Sequence, residues 1–502
     1  MGSALYSERV TQCQPAVVFR PARYESIRDQ MPADPVATNR DRIQVTVYSI
    51  DRRILIGIPS VALPLAYGGS HEVFWAPVAG VFLLLAALAV AVDPALFGRF
   101  RLTYAILPLL LVLALPFCQI LPVPIGWLEF LSPIRARWLA QAAVVTGQDA
   151  SVAPLSYVPL ATFGHGLLWL FLALFALALW SALGERRFRN AYFHLLLAIG
   201  TLEALYGLVQ VLVPTLGVLW DPGRAYAGFA RGTFINRNHY GAFLGLLWPL
   251  LLGHVLALRE VPTRSGGRYG SLQAAEQAAR QRRVLYGFLI GLMVLALIFS
   301  GSRGAILSSI VAATLFALLS GLRRRTAFYA VGACWLVMLA YGSILGFAEI
   351  AARFNQIDAG AAGRFEIWRE TWVLARDHAL TGSGLGSYSE VYKVYQGHLP
   401  EAMVTRHAHN DYLQLAAELG LPAAIAIAAA VWLWWWREAL HTFRGRHSGD
   451  PARTLARAGA LAGAAAMLLH SWLDFNLQMA ANLQLLVATL VWARALRADR
   501  TG

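Results

Sequence analysis

Apolar residues fall along this chain in long blocks separated by short polar intervals. The blocks lie near 53–68, 73–92, 103–119, 160–183, 190–213, 233–257, 284–300, 303–321, 327–348, 408–436, 456–474 and 478–496. A helix needs roughly 20 apolar residues to cross a bilayer. Backbone polar groups in lipid must be satisfied within the segment, so blocks of this kind read as helices. The pattern predicts an all-α integral membrane protein of about twelve transmembrane helices. It also divides the chain into an N-terminal tail over 1–50, helices one to nine over 51–348, a large outer loop over 349–407 between helices nine and ten, and helices ten to twelve with a C-terminal tail over 408–502. The longest polar interval between two strongly apolar blocks runs from Gly363 to Pro422. It opens with Phe365–Arg376, an aromatic and charged stretch of amphipathic helical character. It then passes through Gly382-Ser383-Gly384-Leu385-Gly386, a glycine spacing suited to tight turns, and ends on His407-Ala408-His409-Asn410-Asp411.

Composition removes the soluble alternative. Hydrophobic residues make up 58% of the 502 residues and charged residues 14%, with a mean hydropathy of +0.53. A globule of that composition could not cover its apolar side chains with polar ones. The net charge of +14 is spread in short clusters between the blocks, which excludes a nucleic-acid surface. Counted from a cytoplasmic N-terminus, the clusters at Arg52–Arg53, Arg186–Arg189, Arg323–Arg325 and Arg494–Arg500 all fall on the inner side, as the positive-inside rule demands. Arg224, Arg231, Arg237 and Arg303 go against that bias, at outer helix ends. The first 50 residues are mixed and polar, so no cleavable signal peptide is expected. Three scattered cysteines, Cys13, Cys118 and Cys334, indicate neither a disulfide framework nor a zinc site. In the inner interval 259–283, Gln273, Gln277 and Gln281 would share one face of a short helix lying on the membrane.

Three stretches carry candidate chemistry. Arg231-Gly232-Thr233-Phe234-Ile235-Asn236-Arg237-Asn238-His239 enters the sixth block from outside. Arginine and asparagine at such an end are costly unless they bind something. A helix N-terminus with an arginine beside it suits a phosphate, although an arginine there can also snorkel to lipid head groups. Ser300-Gly301-Ser302-Arg303-Gly304 opens the eighth block in the same way. His407 and His409 open the tenth, where an imidazole is the side chain best suited to take a proton near neutral pH, with Asp411 or Asn410 to orient it. His407 and Asp411 are also one helical turn apart, but no third metal ligand is spaced convincingly.

Taken in order, RGTFINRNHYGAFL, SGSRGA, GRFEIWRETWVLARDHALTGSGLGSY and HAHNDYLQLAAELGLP resemble the shared core of the O-antigen ligase and polymerase superfamily. The resemblance implies a glycosyltransferase-C-like fold with a large helical periplasmic loop in the bacterial inner membrane. It further implies transfer of a glycan from an undecaprenyl-diphosphate carrier to an acceptor hydroxyl, without a cofactor. The acceptor would be lipid A-core in a ligase and a further repeat unit in a polymerase. A protein would be the acceptor in an O-oligosaccharyltransferase. On this resemblance Arg231 and Arg303 hold the donor diphosphate and His409 is the base. His407 is an additional histidine that competes for that role. Arg224, Asn236, Asn238 and Asn410 complete the set expected to meet substrate. The rival from another class is a transporter of a lipid-linked anion. It would use the arginines but not a loop histidine, and transporters usually carry the internal repeats that this chain lacks.

Overall fold

A computed structural model describes residues 54–92, 106–219, 226–258, 269–323, 363–397 and 405–498, with isolated positions at 325, 332 and 336. The N-terminal tail, the ninth block at 327–348 and Arg224 lie outside the described residues. The protein is mostly helical. In chain order the helices are α1 (Ile54–Leu65), α2 (Glu72–Val92), α3 (Ile106–Ile120), α4 (Ile125–Leu131), α5 (Pro133–Thr146), α6 (Pro159–Leu183), α7 (Arg186–Leu212), α8 (Arg237–Ala257), α9 (Tyr269–Phe299), α10 (Arg303–Leu319), α11 (363–377), α12 (Tyr388–Val391), α13 (Asp411–Leu419), α14 (Leu421–Gly445), α15 (Pro451–His470) and α16 (Ala480–Ala498). Among the described residues five helices are long and apolar enough to cross a membrane: α6, α7, α8, the 276–299 part of α9, and α14. This is a helical membrane protein.

The centre of the bundle is the contact between α8 and α15. Small residues make it close. A Cβ at Gly459 would lie 2.2 Å from the Pro249 carbonyl oxygen, and one at Gly463 would lie 2.2 Å from that of Leu246. The two glycines are one turn apart, so α15 lays a strip of bare backbone, continued by Ala460, Ala462 and Ala464, directly against α8. In the most apolar stretch of α8, 78% of residues are buried inside the protein, against 22% in α14. The outer helices instead turn apolar side chains outward, as Val284 and Phe288 do on α9 and Ile425 and Leu433 on α14. That is the arrangement expected of surfaces that meet lipid.

The structure departs from the sequence pattern in three places. The block 408–436 is not one helix but α13 and α14, broken at Gly420 (φ 84). The break is tertiary in origin: the Leu421 N–H donates to the Ala379 carbonyl (2.8 Å), and a Cβ at residue 420 would lie 2.5 Å from the Leu380 carbonyl oxygen. The interval around Gln273–Gln281 is no separate surface helix. It is the first part of α9, whose 31 residues span about 46 Å and exceed a hydrocarbon layer of about 30 Å. The otherwise all-α fold also holds a small antiparallel pair in the 120–158 interval, β1 (Pro122–Pro124) on β2 (Val152–Pro154).

The glycine-spaced turn is docked rather than free. Gln119, at the end of α3, donates through Nε2 to the carbonyls of Thr381 (2.7 Å) and Glu418 (2.8 Å), and its Oε1 accepts from the Leu385 N–H (3.0 Å). Gly382 has φ 69 and would place a Cβ 2.1 Å from the Glu418 carbonyl oxygen, so only glycine fits there.

A core substitution tests the central contact. Gly463→Ala should lower stability by about 1–3 kcal/mol through overpacking, read as a lower thermal midpoint in detergent. Gly287→Ala, on α9 with nothing within 4 Å of the new Cβ, should leave the midpoint unchanged or raise it.

Candidate active site

The turn carrying Arg231 is held by α7. The Gln210 side chain accepts from the Arg231 N–H (3.1 Å) and donates to the Gly232 carbonyl (2.9 Å). Glu203, buried two turns earlier on the same face of α7, accepts from the Thr233 N–H (2.9 Å) and hydroxyl (2.6 Å). Gly232 has φ 54 and lies so close to Glu203 and Tyr240 that no side chain fits. The result is a buried guanidinium, with Arg231 4% exposed. The neighbouring Ala230 N–H donates to the Phe299 carbonyl (3.0 Å), which ties this turn to the end of α9.

From Phe299 the chain makes the tight turn Ser300-Gly301-Ser302, with Gly301 at φ 62, and enters α10. The Ser302 hydroxyl caps α10 by accepting from the Ala305 N–H (3.4 Å). Arg303 is the first residue of α10 and is exposed. Gly304 behind it packs on His470, the last residue of α15; a Cβ there would lie 2.5 Å from Nε2. Arg231 and Arg303 therefore stand at one end of the bundle. The N-terminus of α8 joins the same corner, because Gly241 packs on Ala305 and the Arg237 guanidinium lies 4.1 Å over the Phe229 ring.

Asp474 organises the rest. It sits between α15 and α16 and is 1% exposed. His409 Nδ1 is 3.1 Å from its Oδ1, the Asn238 amide donates to its Oδ2 (2.7 Å), and the Phe475 N–H donates to Oδ1 (3.0 Å). Arg364 Nη2 stands 3.6 Å from Oδ2 and His239 Nε2 stands 3.8 Å from Oδ1. Burial alone would push this carboxyl up. The nearby His239 and the His409 contact outweigh it and hold Asp474 well below the usual carboxylate range. It is a buried, ionised acceptor.

His409 is fixed from several sides. Its φ of 52 is left-handed, which a non-glycine residue adopts at a cost of about 1–2 kcal/mol. Its carbonyl accepts from Trp368 Nε1 on α11 (3.2 Å). Its ring stands edge-on to Phe475 at 4.7 Å, and the His407 ring stacks flat on the same phenyl at 4.3 Å. His407 Nδ1 lies 3.4 Å from the Gln414 side-chain amide. Burial, followed by the neighbouring imidazoles of His239 and His409, pushes the His407 pKa down to about 3. An imidazole that resists protonation so strongly is a poor base at neutral pH.

The asparagines divide. The side-chain oxygen of Asn236 caps α8 by accepting from the Asn238 N–H (2.9 Å), and that of Asn410 caps α13 by accepting from Tyr412 and Leu413 (both 3.1 Å). Those two are helix caps, whereas Asn238 reaches the buried carboxylate. Neither Asn410 nor Asp411 orients an imidazole, contrary to the expectation from their adjacency. Asp411 points to the Leu477 N–H (2.9 Å), and burial raises its carboxyl to about 8, Asp474 adding to the rise and the Leu477 bond opposing it. Asp474, Arg364, Trp368, His239 and Phe475 are the members that spacing in sequence did not reveal. Among the described residues no group of three His, Cys, Asp or Glu side chains is arranged to hold a metal ion.

Residues 288–428 match the family model described as O-antigen ligase. Over that stretch the chain is similar to the O-antigen ligase family. The stretch spans Arg303, Arg364, Trp368, the docked glycine turn and the His407–Asn410 segment, while Arg231, Asn238 and Asp474 come from flanking helices and turns. No curated protein matches the chain. The family is one of ligase- and polymerase-type glycosyltransferases, which act on a lipid-linked glycan donor and a glycan acceptor.

The raised Asp411 carboxyl has a readable consequence. Folded Asp411 keeps a proton that the unfolded chain, with a carboxyl near about 3.9, has released. Its stabilising contribution is complete below about 3.9 and is lost as pH rises through about 8. Asp411→Asn keeps an acceptor for the Leu477 N–H but cannot titrate. The difference in thermal midpoint, variant minus wild type, should grow between pH 5 and pH 8 on the scale set by these values. A difference that does not vary with pH would place the titration elsewhere.

Proposed function

We propose that this protein transfers a glycan from an undecaprenyl-diphosphate carrier to an acceptor hydroxyl, with His409 as general base. The observation that carries the reading is the His409–Asp474 pair. A buried carboxylate on Nδ1 fixes the tautomer and leaves Nε2 to take a proton. The acceptor oxygen attacks the anomeric carbon as its proton passes to His409 Nε2. The bond from that carbon to the diphosphate oxygen breaks, and the electron pair leaves with the diphosphate. Attack from the face opposite the leaving group gives inversion. Arg231, in the turn before α8, and Arg303, at the start of α10 in the same corner, stabilise the charge that develops on the phosphate oxygens. Asp474 is a positioning residue. It keeps the imidazole aimed and stabilises the imidazolium that forms. Proton transfer and charge stabilisation account for the step with these residues alone.

The same reading assigns about twelve spans, termini on the cytoplasmic side and the His409 corner at the periplasmic face of the inner membrane. That is where a polyprenyl-linked donor presents its sugar. Ligation onto lipid A-core is the reading adopted, with repeat-unit polymerisation or protein glycosylation as the alternatives within the superfamily. A lipid-linked glycan transporter would need the arginines but would have no use for an imidazole set on a buried carboxylate.

With purified protein, lipid-diphosphate glycan and lipid A-core, His409→Ala should lower transfer by about 10²–10⁴-fold while the protein stays folded and inserted. His407→Ala should retain most of the activity. Asp474→Asn should lower kcat with little change in KM. Full activity in His409→Ala would refute the assignment. In cells, deletion that abolishes capped lipopolysaccharide but leaves the lipid-linked polymer indicates a ligase; caps of a single repeat indicate a polymerase.

A further inference from the structure

The other end of α14, α15 and α16 carries a second concentration of charge that the proposed reaction does not use. Arg457 on α15 lies thirteen residues before His470, which is about 20 Å away along the helix. Glu438 on α14 is buried and shared by three guanidiniums: Arg457 Nη2 at 2.7 Å, Arg497 Nη1 at 2.8 Å and Arg494 Nη1 at 3.2 Å. Arg457 Nη1 also reaches His441 Nδ1 (3.1 Å). One carboxylate cannot neutralise three arginines.

Two cavities open on this cluster. One of about 70 Å³ lies between α14, α15 and α16, with Arg453, Arg457 and Arg497 in its walls together with Asp450, which pairs with Arg453 (3.7 Å). The other, of about 560 Å³, is walled by Arg437, Leu440, Arg444 and Arg497. They share His441, Gly445 and Arg497. Arg457 is 6% exposed, and its Nε is buried without a hydrogen-bond partner among the described residues. A buried guanidinium donor left unsatisfied is costly, and an oxyanion in the adjoining cavity would satisfy it. The small cavity suits a single phosphate group and little more.

What lies beside the arginines identifies the source of that phosphate. Leu433, Trp436, Leu440 and Arg444 recur at helical spacing on α14, and Leu433 and Trp436 are more than half exposed. An apolar, aromatic strip that ends in guanidiniums matches an acyl chain that ends in a phosphate. We propose that this basin binds the head group of an anionic membrane phospholipid, with its phosphate among Arg457, Arg497 and Arg444 and its chains along Leu433 and Trp436. The site lies at the opposite end of the helices from His409 and takes a lipid that is not the glycan donor.

The test uses the purified full chain. Native mass spectrometry and thermal unfolding are compared for protein supplied with phosphatidylglycerol, phosphatidylcholine or inorganic phosphate. Phosphatidylglycerol should be retained and should raise the midpoint, and phosphatidylcholine should do neither. Arg437→Gln/Arg444→Gln, both surface positions, should weaken retention about tenfold or more while keeping the midpoint measured in phosphatidylcholine. Arg457→Gln should do the same by removing the buried donor; if that variant does not fold, the surface pair decides. Equal retention of the two lipids, or retention unchanged in the surface pair, would overturn the proposal. A full shift with inorganic phosphate alone would also overturn it, by assigning a soluble anion instead.

Discussion

A negative charge buried where helices meet is expensive unless several donors converge on it. Asp474 meets that condition by drawing on four parts of the chain. Asn238 comes from the start of α8, His409 from the residue pair before α13, Arg364 from α11, and the Phe475 N–H from its own turn. Each donor fixes the position of the element that bears it. Removing the carboxylate would leave the α8 N-terminus, the α13 entry and α11 without their common anchor. The proposed catalytic geometry and the local fold therefore rest on one electrostatic requirement. It operates in a surrounding of low polarity, where charge–dipole terms are strongest.

The same corner shows how bare backbone is used to place charge. Gly232, Gly241 and Gly304 each stand where a side chain would collide with Glu203, Ala305 or His470. Their absence of side chains lets the Arg231 turn, the α8 N-terminus and the α10 N-terminus approach closely enough to share one face.

Much of this was legible in the sequence because lipid imposes a simple rule. Long apolar blocks must be helices, and the bundle's α6, α7, α8 and α14 fall where blocks were marked. The glycine-spaced turn and the two histidines were visible because such residues are unusual between spans. Asp474 was not visible as a partner of His409: it closes the block 456–474, 65 positions away. Only the meeting of α8, α13 and α15 brings it there. Adjacency in sequence instead favoured Asp411, which the α13 geometry turns toward Leu477. The break at Gly420 was hidden for a similar reason, since the apolar pattern runs through it and the interruption is imposed by the Ala379–Leu380 carbonyls. Gln119 gave no signal at all, because a glutamine at the end of an apolar block has no distinguishing neighbour in the chain.

That glutamine has a consequence for how a bulky donor is received. Its single carboxamide fastens the Thr381–Leu385 backbone and the end of α13 to α3. The Thr381–Leu385 backbone and the end of α13 are thus held together as one preformed shelf. On the proposed reading, a long, flexible glycan would meet a surface already in its working shape, and its binding free energy would go into aligning the sugar with the imidazole.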